Sequence, residues 1–364
     1  MAAIDDVTDG RPAREVLAWS RTLVDPALRE AVANLPPSMR DIAGYHFGWW
    51  DEHGRPSGVD GGKALRPALV LLSATAVGGA PTAAVPAAVG VELVHNFSLL
   101  HDDVMDGDVT RRHRPTAWSV YGRSSAILAG DALLTLACDV VASSGHPAAH
   151  EGTRRLNATV LSLIDGQSAD MAFERRVDVG VRECLSMVER KTAALLGCAS
   201  HLGAAFGGAP PERVERMRSF GARLGMAFQF VDDLLGIWGD PETTGKPAHS
   251  DLRNRKKSLP VVAALASGTP AGHELAALYG REPYDEPLSG AEVPRAAELI
   301  ESAGAREWSR RQVDELLANA RHDLHACFPQ EQAAAELAAL ASLATTEREP
   351  SSAGGSVSDA EPPA

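Results

Sequence analysis

Apolar residues return at helical spacing in one segment after another of this chain, and nowhere do they alternate for the length of a strand. The periodicity predicts helices over 14–34, 83–106, 124–143, 151–174, 181–207, 211–238, 257–267, 294–303, 310–326 and 331–345. A further helix follows the glycine-rich "GVDGGKALRPALVLL", with Pro67 in its first turn, where proline is tolerated. Turn signals at Gly145–Pro147, Gly207–Pro211, Gly239–Pro241, Gly268–Pro270 and Gly280–Pro283 separate these segments, and no fixed-period repeat links them. Helices joined this way bury their apolar stripes only against one another. With 45% hydrophobic residues there is material for a sizeable core, and with only 5% aromatic residues and abundant alanine, close helix–helix packing is favoured over sheets. The expected fold is all-α, a single helical domain over 13–345. Residues 1–12 form a loose start, and 346–364, within "TTEREPSSAGGSVSDAEPPA", have too little to bury and are expected to be disordered.

The formal net charge of −13 argues against a nucleic-acid partner, because such affinity comes from cations on phosphate. It leaves room for a local basic pocket. Cys138, Cys184, Cys198 and Cys327 show neither a CxxC pair nor metal-type spacing, which suits core packing in a reducing compartment. Met1 to Gly10 carries Asp5, Asp6 and Asp9 and no apolar run, so no secretory signal is expected. Ala68 to Ala80 is short and broken by glycine, so no membrane span is expected, and the protein is expected to be cytoplasmic.

Against this background "LLHDDVMDGDVTRRHRP" (99–115) stands out. On a helix, Asp102 and Asp106 stack at i and i+4 with Asp103 beside them. Carboxylates stacked at a helix C-terminus repel each other and oppose the macrodipole. They are either a solvated acidic end or a site for a hard cation such as Mg²⁺, which takes one or two carboxylates together with water and substrate phosphates. The pattern returns about 130 residues later in "AFQFVDDLLGIWGD": Asp232 and Asp233 follow Gln229, and Gly236 stands where a third carboxylate would complete the repeat. Cations cluster near both. Lys63 and Arg66 flank the glycine loop, Arg111, Arg112 and Arg114 follow the first acids, Lys191 and Thr192 lie on a helix, and "TGKPAHSDLRNRKKSLP" supplies Lys246, Arg253, Arg255, Lys256 and Lys257. Any one of these runs could be a solvated face. Together they describe a site for diphosphate esters, with metals on one anion and arginines and lysines on another.

From about Gly61 to Pro260 the chain resembles the trans-isoprenyl diphosphate synthases. The resemblance is carried by "GGKALRP", "ELVHNFSLLHDDVMDGDVTRRHRPT", "GDALL", "GQSAD", "KTAALLG", "FQFVDDLLG" and "TGKP…SDLRNRKKSLP", in that order. It implies an isoprenoid-synthase-type bundle around a central cavity, and Mg²⁺-dependent head-to-tail condensation of isopentenyl diphosphate with an allylic diphosphate, catalysed by a prenyltransferase. Two to three Mg²⁺ ions are implied, with Asp102 and Asp106 holding two, Asp103 supporting them and Asp232 holding a third. Arg111, Lys191, Thr192, Gln229, Lys246 and Lys256 would meet the allylic diphosphate or the cation forming beside it. Lys63, Arg66, His95 and Arg112 would bind the diphosphate of isopentenyl diphosphate, and Gln167 and Asp170 match a mid-chain polar pair. His95 and His101 border the site without a catalytic partner visible in sequence, and for His101 packing or support of the metal shell is expected.

Gly236 departs from the family pattern, so Gly236→Asp is expected to lower the Mg²⁺ concentration needed for half-maximal rate. Two rival activities differ in their motifs. A noncatalytic partner subunit should lose the first acidic motif, which is intact. A class I terpene cyclase should lack the GGKxxRP loop and carry an Asn/Ser/Glu metal motif, and this chain does the opposite. The resemblance also implies a homodimer, and the loose termini could associate with a protein nanocompartment. Chain length is read from Phe97 and Ser98, five and four residues before Asp102. One aromatic at the first position and a small residue at the second imply geranylgeranyl diphosphate (C20) as main product, with farnesyl diphosphate (C15) as the alternative.

Overall fold

The computed structural model describes residues 10–57, 64–240, 249–282 and 286–346. The described chain is almost entirely helical: α1 (Ala13–Ala33), α2 (Pro37–His46), α3 (Leu65–Ala76), α4 (Val85–Asp106), α5 (Ala117–Tyr121), α6 (Arg123–Ala142), α7 (Ala149–Glu174), α8 (Val181–Val188), α9 (Ala194–Phe206) and α10 (Pro211–Trp238). After these come α11 (Ser250–Arg253), α12 (Leu259–Leu265), α13 (Pro270–Tyr279), α14 (Glu292–Ser302), α15 (Ala305–His325) and α16 (Glu331–Thr346). Between α4 and α5 lies a two-residue antiparallel pair, β1 (Thr110–Arg111) and β2 (Arg114–Pro115).

The continuous apolar run in α3 is explained by its position. Leu69, Val70, Leu71 and Leu72 are all fully buried, because α3 packs against α1, α4, α9 and α16. Shortening one such leucine to alanine costs about 2–5 kcal/mol. α4 runs beside it and meets α6 and α9, while α10 lies between α9 and α15. A second cluster gathers Ile237, Leu252, Val261 and Leu275 with α14, and a third gathers Phe173, Cys184, Phe230 and Leu259. α4 and α10, which carry paired aspartates in their C-terminal halves, both contribute to the main core.

The long periodic segments appear close to their expected bounds. One differs: 181–207 is not a single α-helix. A π-helical turn, Glu189–Ala193, joins α8 to α9. It lies against Gly166 of α7, where a β-carbon would come within 2.8 Å of Lys191 Cα, so only glycine admits the wider turn. Among the described residues, α2, α5, α11, α13 and the β1–β2 hairpin escaped the periodicity. Helix α2 is too short and too polar to show a stripe, though Pro37 at its start is a helix-opening signal. Helix α13 opens on Thr269, whose hydroxyl accepts from Gly272 N at 3.1 Å.

Two helical stretches have the length and hydropathy of a membrane span, where none was expected: Pro81–Asp106 and Arg123–Ala142. A core helix of a bundle meets the same criterion. The first is 67% buried within the molecule over its apolar window, and the second is 39% buried.

Candidate active site

Helix α4 ends at Asp106, capped by Gly107 in the left-handed region (φ 70°). Asp102 is half-buried, Asp103 buried and Asp106 exposed. Asp103 Oδ1 accepts from Arg111 Nε at 2.7 Å, so the hairpin arginine is tied back to the helix that precedes it. Burial pushes the Asp102 carboxyl up to about 6; Asp106 and Asp170 add to this, and Lys191 and Arg111 oppose it. Burial likewise lifts Asp103 to about 6, against the pull of Arg111, and lifts Asp106 by an amount that Lys191 and Lys256 moderate. These acids sit where negative charge is under-compensated.

On α10 the two aspartates divide their work. Asp233 is buried and fully used: Oδ1 accepts from Gln229 Nε2 at 2.8 Å, and Oδ2 accepts from Leu259 N at 2.9 Å, which fixes the start of α12. Burial raises it to about 7. Gln229 in turn accepts from Thr192 Oγ1 at 2.8 Å, linking α10 to the π-helical turn. Asp232 is half-buried and acts on Lys256. Burial lowers the Lys256 ammonium, but Asp251, Asp233, Asp170 and Asp232 outweigh it and hold the group strongly protonated. Lys191 Nζ pairs with Asp170 Oδ2 at 2.6 Å, and Gln167 Nε2 lies 3.8 Å from Met105 Sδ. Asp102, Asp106, Asp170, Lys191, Asp232 and Lys256 thus come from five parts of the chain into one field of charge.

The structure adds a neighbour to the expectation for Gly236. A β-carbon there would lie 2.7 Å from Asp251 Cγ, so the space beside this turn of α10 is already occupied by a carboxylate from α11. Asp251 Oδ2 stands 3.6 Å from Lys256 Nζ. An added aspartate at 236 would meet Asp251 before it met a cation. Sequence reasoning passed over Asp251 because nothing in "SDLRNRKK" says which helix it faces.

A second group of basic side chains gathers around His95 and the hairpin. Arg66 Nη1 and His95 Nε2 are 3.2 Å apart. His95 is held well below its usual range by burial, with Arg66, Arg112 and Arg111 adding to the effect. Arg112 and His113 are the two residues between β1 and β2, at φ 51° and 60°. Such a turn favours Asn-Gly, and an arginine held there is the kind of local strain that gathers at functional sites. A small, partly open pocket lies between the hairpin and the end of α2, lined by Asp103, Arg111, Arg112 and His46 among others.

Toward the N-terminus of α4, Phe97 is buried and its ring meets that of His101 edge-on at 4.9 Å. His101 Nε2 is 3.0 Å from Ile127 O, so this histidine packs against α6. Ser98 is buried and its hydroxyl donates to His95 O at 2.8 Å. Lys63 and Lys246 lie outside the described residues, as do residues 1–9 and 347–364 of the termini.

The sequence profile described as polyprenyl synthetase matches residues 56–292. The chain is 50% identical over 294 residues to a (2E,6E)-farnesyl diphosphate synthase of Mycobacterium tuberculosis, covering 81% of this chain and 82% of that one. It is 42% identical over 331 residues to a geranylgeranyl diphosphate synthase of the same species, covering 91% and 93%. In structure it is similar to a polyprenyl synthetase from Streptomyces coelicolor A3(2), with a TM-score of 0.86 and 49% identity over 91% of this chain and 99% of that one.

Proposed function

The chain belongs to the polyprenyl synthetase family, the trans-isoprenyl diphosphate synthases, and from that premise we propose that it condenses isopentenyl diphosphate with allylic diphosphates to give geranylgeranyl diphosphate. That it is a prenyltransferase making short-chain trans-prenyl diphosphates follows from its relatives. The observation that carries the site assignment is a shared cation: Asp106 at the end of α4 and Asp232 on α10 both act on Lys256. In this reading the two acidic clusters serve one site, because the same ammonium feels both of them.

In this reading Asp102 and Asp106 hold Mg²⁺ on the allylic diphosphate, and Asp232 holds a further ion. The donor set suits the metal. The acids are hard, lifted by burial and by one another, and among the described residues no three ligating side chains close a cage by themselves. That leaves coordination positions for water and for substrate phosphate. The chemistry a bound magnesium supplies is stabilisation of charge on the departing diphosphate. Asp103, pinned by Arg111, orients the hairpin. Lys191 and Lys256 place positive charge where the leaving group gathers negative charge, with Lys246 as a third donor. Thr192 and Gln229 hold the π-helical turn to α10 and so fix Lys191. Arg66, His95 and Arg112, with Lys63, take the diphosphate of the second substrate, and Arg111 reaches either anion. The apolar interior keeps water from the allylic cation.

Ile127 and Leu128 on α6 and Leu161 and Ile164 on α7 are exposed by 40–68%. We assign this apolar face to a second copy of the chain, and sedimentation of the purified protein at twice the monomer mass tests that. Incubation with isopentenyl diphosphate and C5, C10 or C15 primers, followed by chromatography, tests the function. A C20 product supports the proposal. C15 as the end product supports the second reading, which the 50% identity to farnesyl diphosphate synthases favours. No elongation from any primer would sink both.

A further inference from the structure

The pocket beside Arg111 and Arg112 has one wall that the matched family segment does not supply. That segment begins at residue 56, whereas Tyr45, His46, Phe47 and Gly48 line the pocket. The wall is firmly built. Trp50 Nε1 donates to Asp41 O and Tyr45 Oη to Pro115 O, each at 2.8 Å, and Arg114 reaches the carbonyls of Tyr45 and Trp50 at 3.3 Å. Tyr45 and Arg114 are thus engaged in the wall itself, and Arg111 is engaged with Asp103. His46 differs. Its Nε2 is buried and has no hydrogen-bond partner among the described residues. A buried polar atom left this way costs about 1–3 kcal/mol, so it needs a reason.

The charges around the ring supply one. Arg111, Arg112 and Arg114 act on it from the hairpin, Asn96 on α4 acts in the opposite sense, and His95, which it influences in turn, lies 3.2 Å from Arg66. Asp103 is the acid that lines the pocket, and it is paired with Arg111. Burial, together with the three arginines, holds the imidazole down to about 3, so it is neutral without ligand. A polyanion bound among the same arginines reverses the field at Nε2. The terminal phosphate that would bring this change has a second pKa near 6 and carries a proton part of the time.

We propose that His46 Nε2 shares one proton with a terminal phosphate oxygen of bound isopentenyl diphosphate, so that this substrate enters with uptake of up to one proton. The proton comes from solvent and lies between the two heavy atoms, and no bond to carbon changes. The proposal deepens the functional reading above and rests on it. It makes His46 a binding residue contributed from outside the matched segment.

Calorimetric titration of the full chain with isopentenyl diphosphate alone, at pH 7 in two buffers of different ionisation heat, reads the uptake. The wild-type protein is expected to take up a larger fraction of a proton than His46→Gln, and to bind about tenfold more tightly at pH 6.5. Between pH 6.5 and 8.5 its affinity should fall more steeply than that of the variant. Inorganic diphosphate should show the same difference, and affinity for an allylic diphosphate should move less than twofold. Equal uptake and equal affinity in a variant with the wild-type melting temperature would overturn the proposal alone, as would a difference confined to the prenylated ligand. If His46→Gln does not fold, His46→Asn carries the same comparison. No binding of isopentenyl diphosphate to the wild-type protein would overturn the functional reading and this proposal with it.

Discussion

Gly236 and Asp251 compete for the same space: a β-carbon on the first would stand 2.7 Å from Cγ of the second. Asp251 is the end of a flexible side chain, so it can swing aside. The loss then falls on its partner Lys256, 3.6 Å away, more than on the fold. Gly236→Asp is expected to raise the Mg²⁺ concentration for half-maximal rate and to lower kcat/KM at least tenfold. Gly236→Ala in a helix interior would ordinarily gain about 1 kcal/mol. Here it should lose activity in part without the added charge. A lower Mg²⁺ requirement in the aspartate variant would show that Asp251 does not fill this place in solution.

Asp102→Ala and Asp106→Ala should each reduce turnover by several orders of magnitude while leaving the melting temperature unchanged or higher. Burial lifts Asp102 to about 6, and Asp106 adds like charge beside it, so the charged pair burdens the folded state. Turnover within tenfold of wild type in both variants would remove them from the metal site.

Phe97 lies about 7.5 Å along the helix axis from Asp102, at 1.5 Å per residue. If its ring stops the growing tail, Phe97→Ala should lengthen the main product by at least one C5 unit, and Ser98→Phe should shorten it. Truncating a buried phenylalanine costs about 3–5 kcal/mol, so Phe97→Leu serves as the milder control. Unchanged products in all three would place the floor elsewhere.

His201 on α9 is buried, and burial together with Arg155 holds its imidazole down to about 4. The unfolded chain protonates this histidine as pH falls through about 6.5, while the folded chain stays neutral until about 4. Its contribution is therefore intact above pH 6.5 and is lost toward pH 4, on the order of 3 kcal/mol. His201→Leu should flatten the acid limb of a denaturation-versus-pH curve. It should not abolish that limb, because His46 titrates in the same direction. An unaltered curve would mean that water reaches the ring.

The long helices and both acidic clusters were legible because their signals are local: an apolar stripe repeats within a turn, and Asp102 and Asp106 share a face by spacing alone. What escaped depends on distance. Asp251 lies beside Gly236 although fifteen residues separate the two in sequence. His46 is one histidine at the end of a short polar helix, and only the arginines of a hairpin folded 65 residues later give it meaning. The π-helical turn was hidden for another reason: one extra residue barely disturbs a periodicity summed over a dozen.

That extra residue has a mechanical consequence. α8 turns Cys184, Met187 and Val188 toward one core, and α9 turns Leu195, Leu196 and Leu202 toward another, so the two helices form a crankshaft with Lys191 at the throw. Each residue of a helix advances the phase by about 100°. Deleting one residue from 189–193 would therefore rotate every apolar side chain of α9 out of its seat while leaving a flawless α-helix behind. Along this rod the chain can vary in identity but not in length.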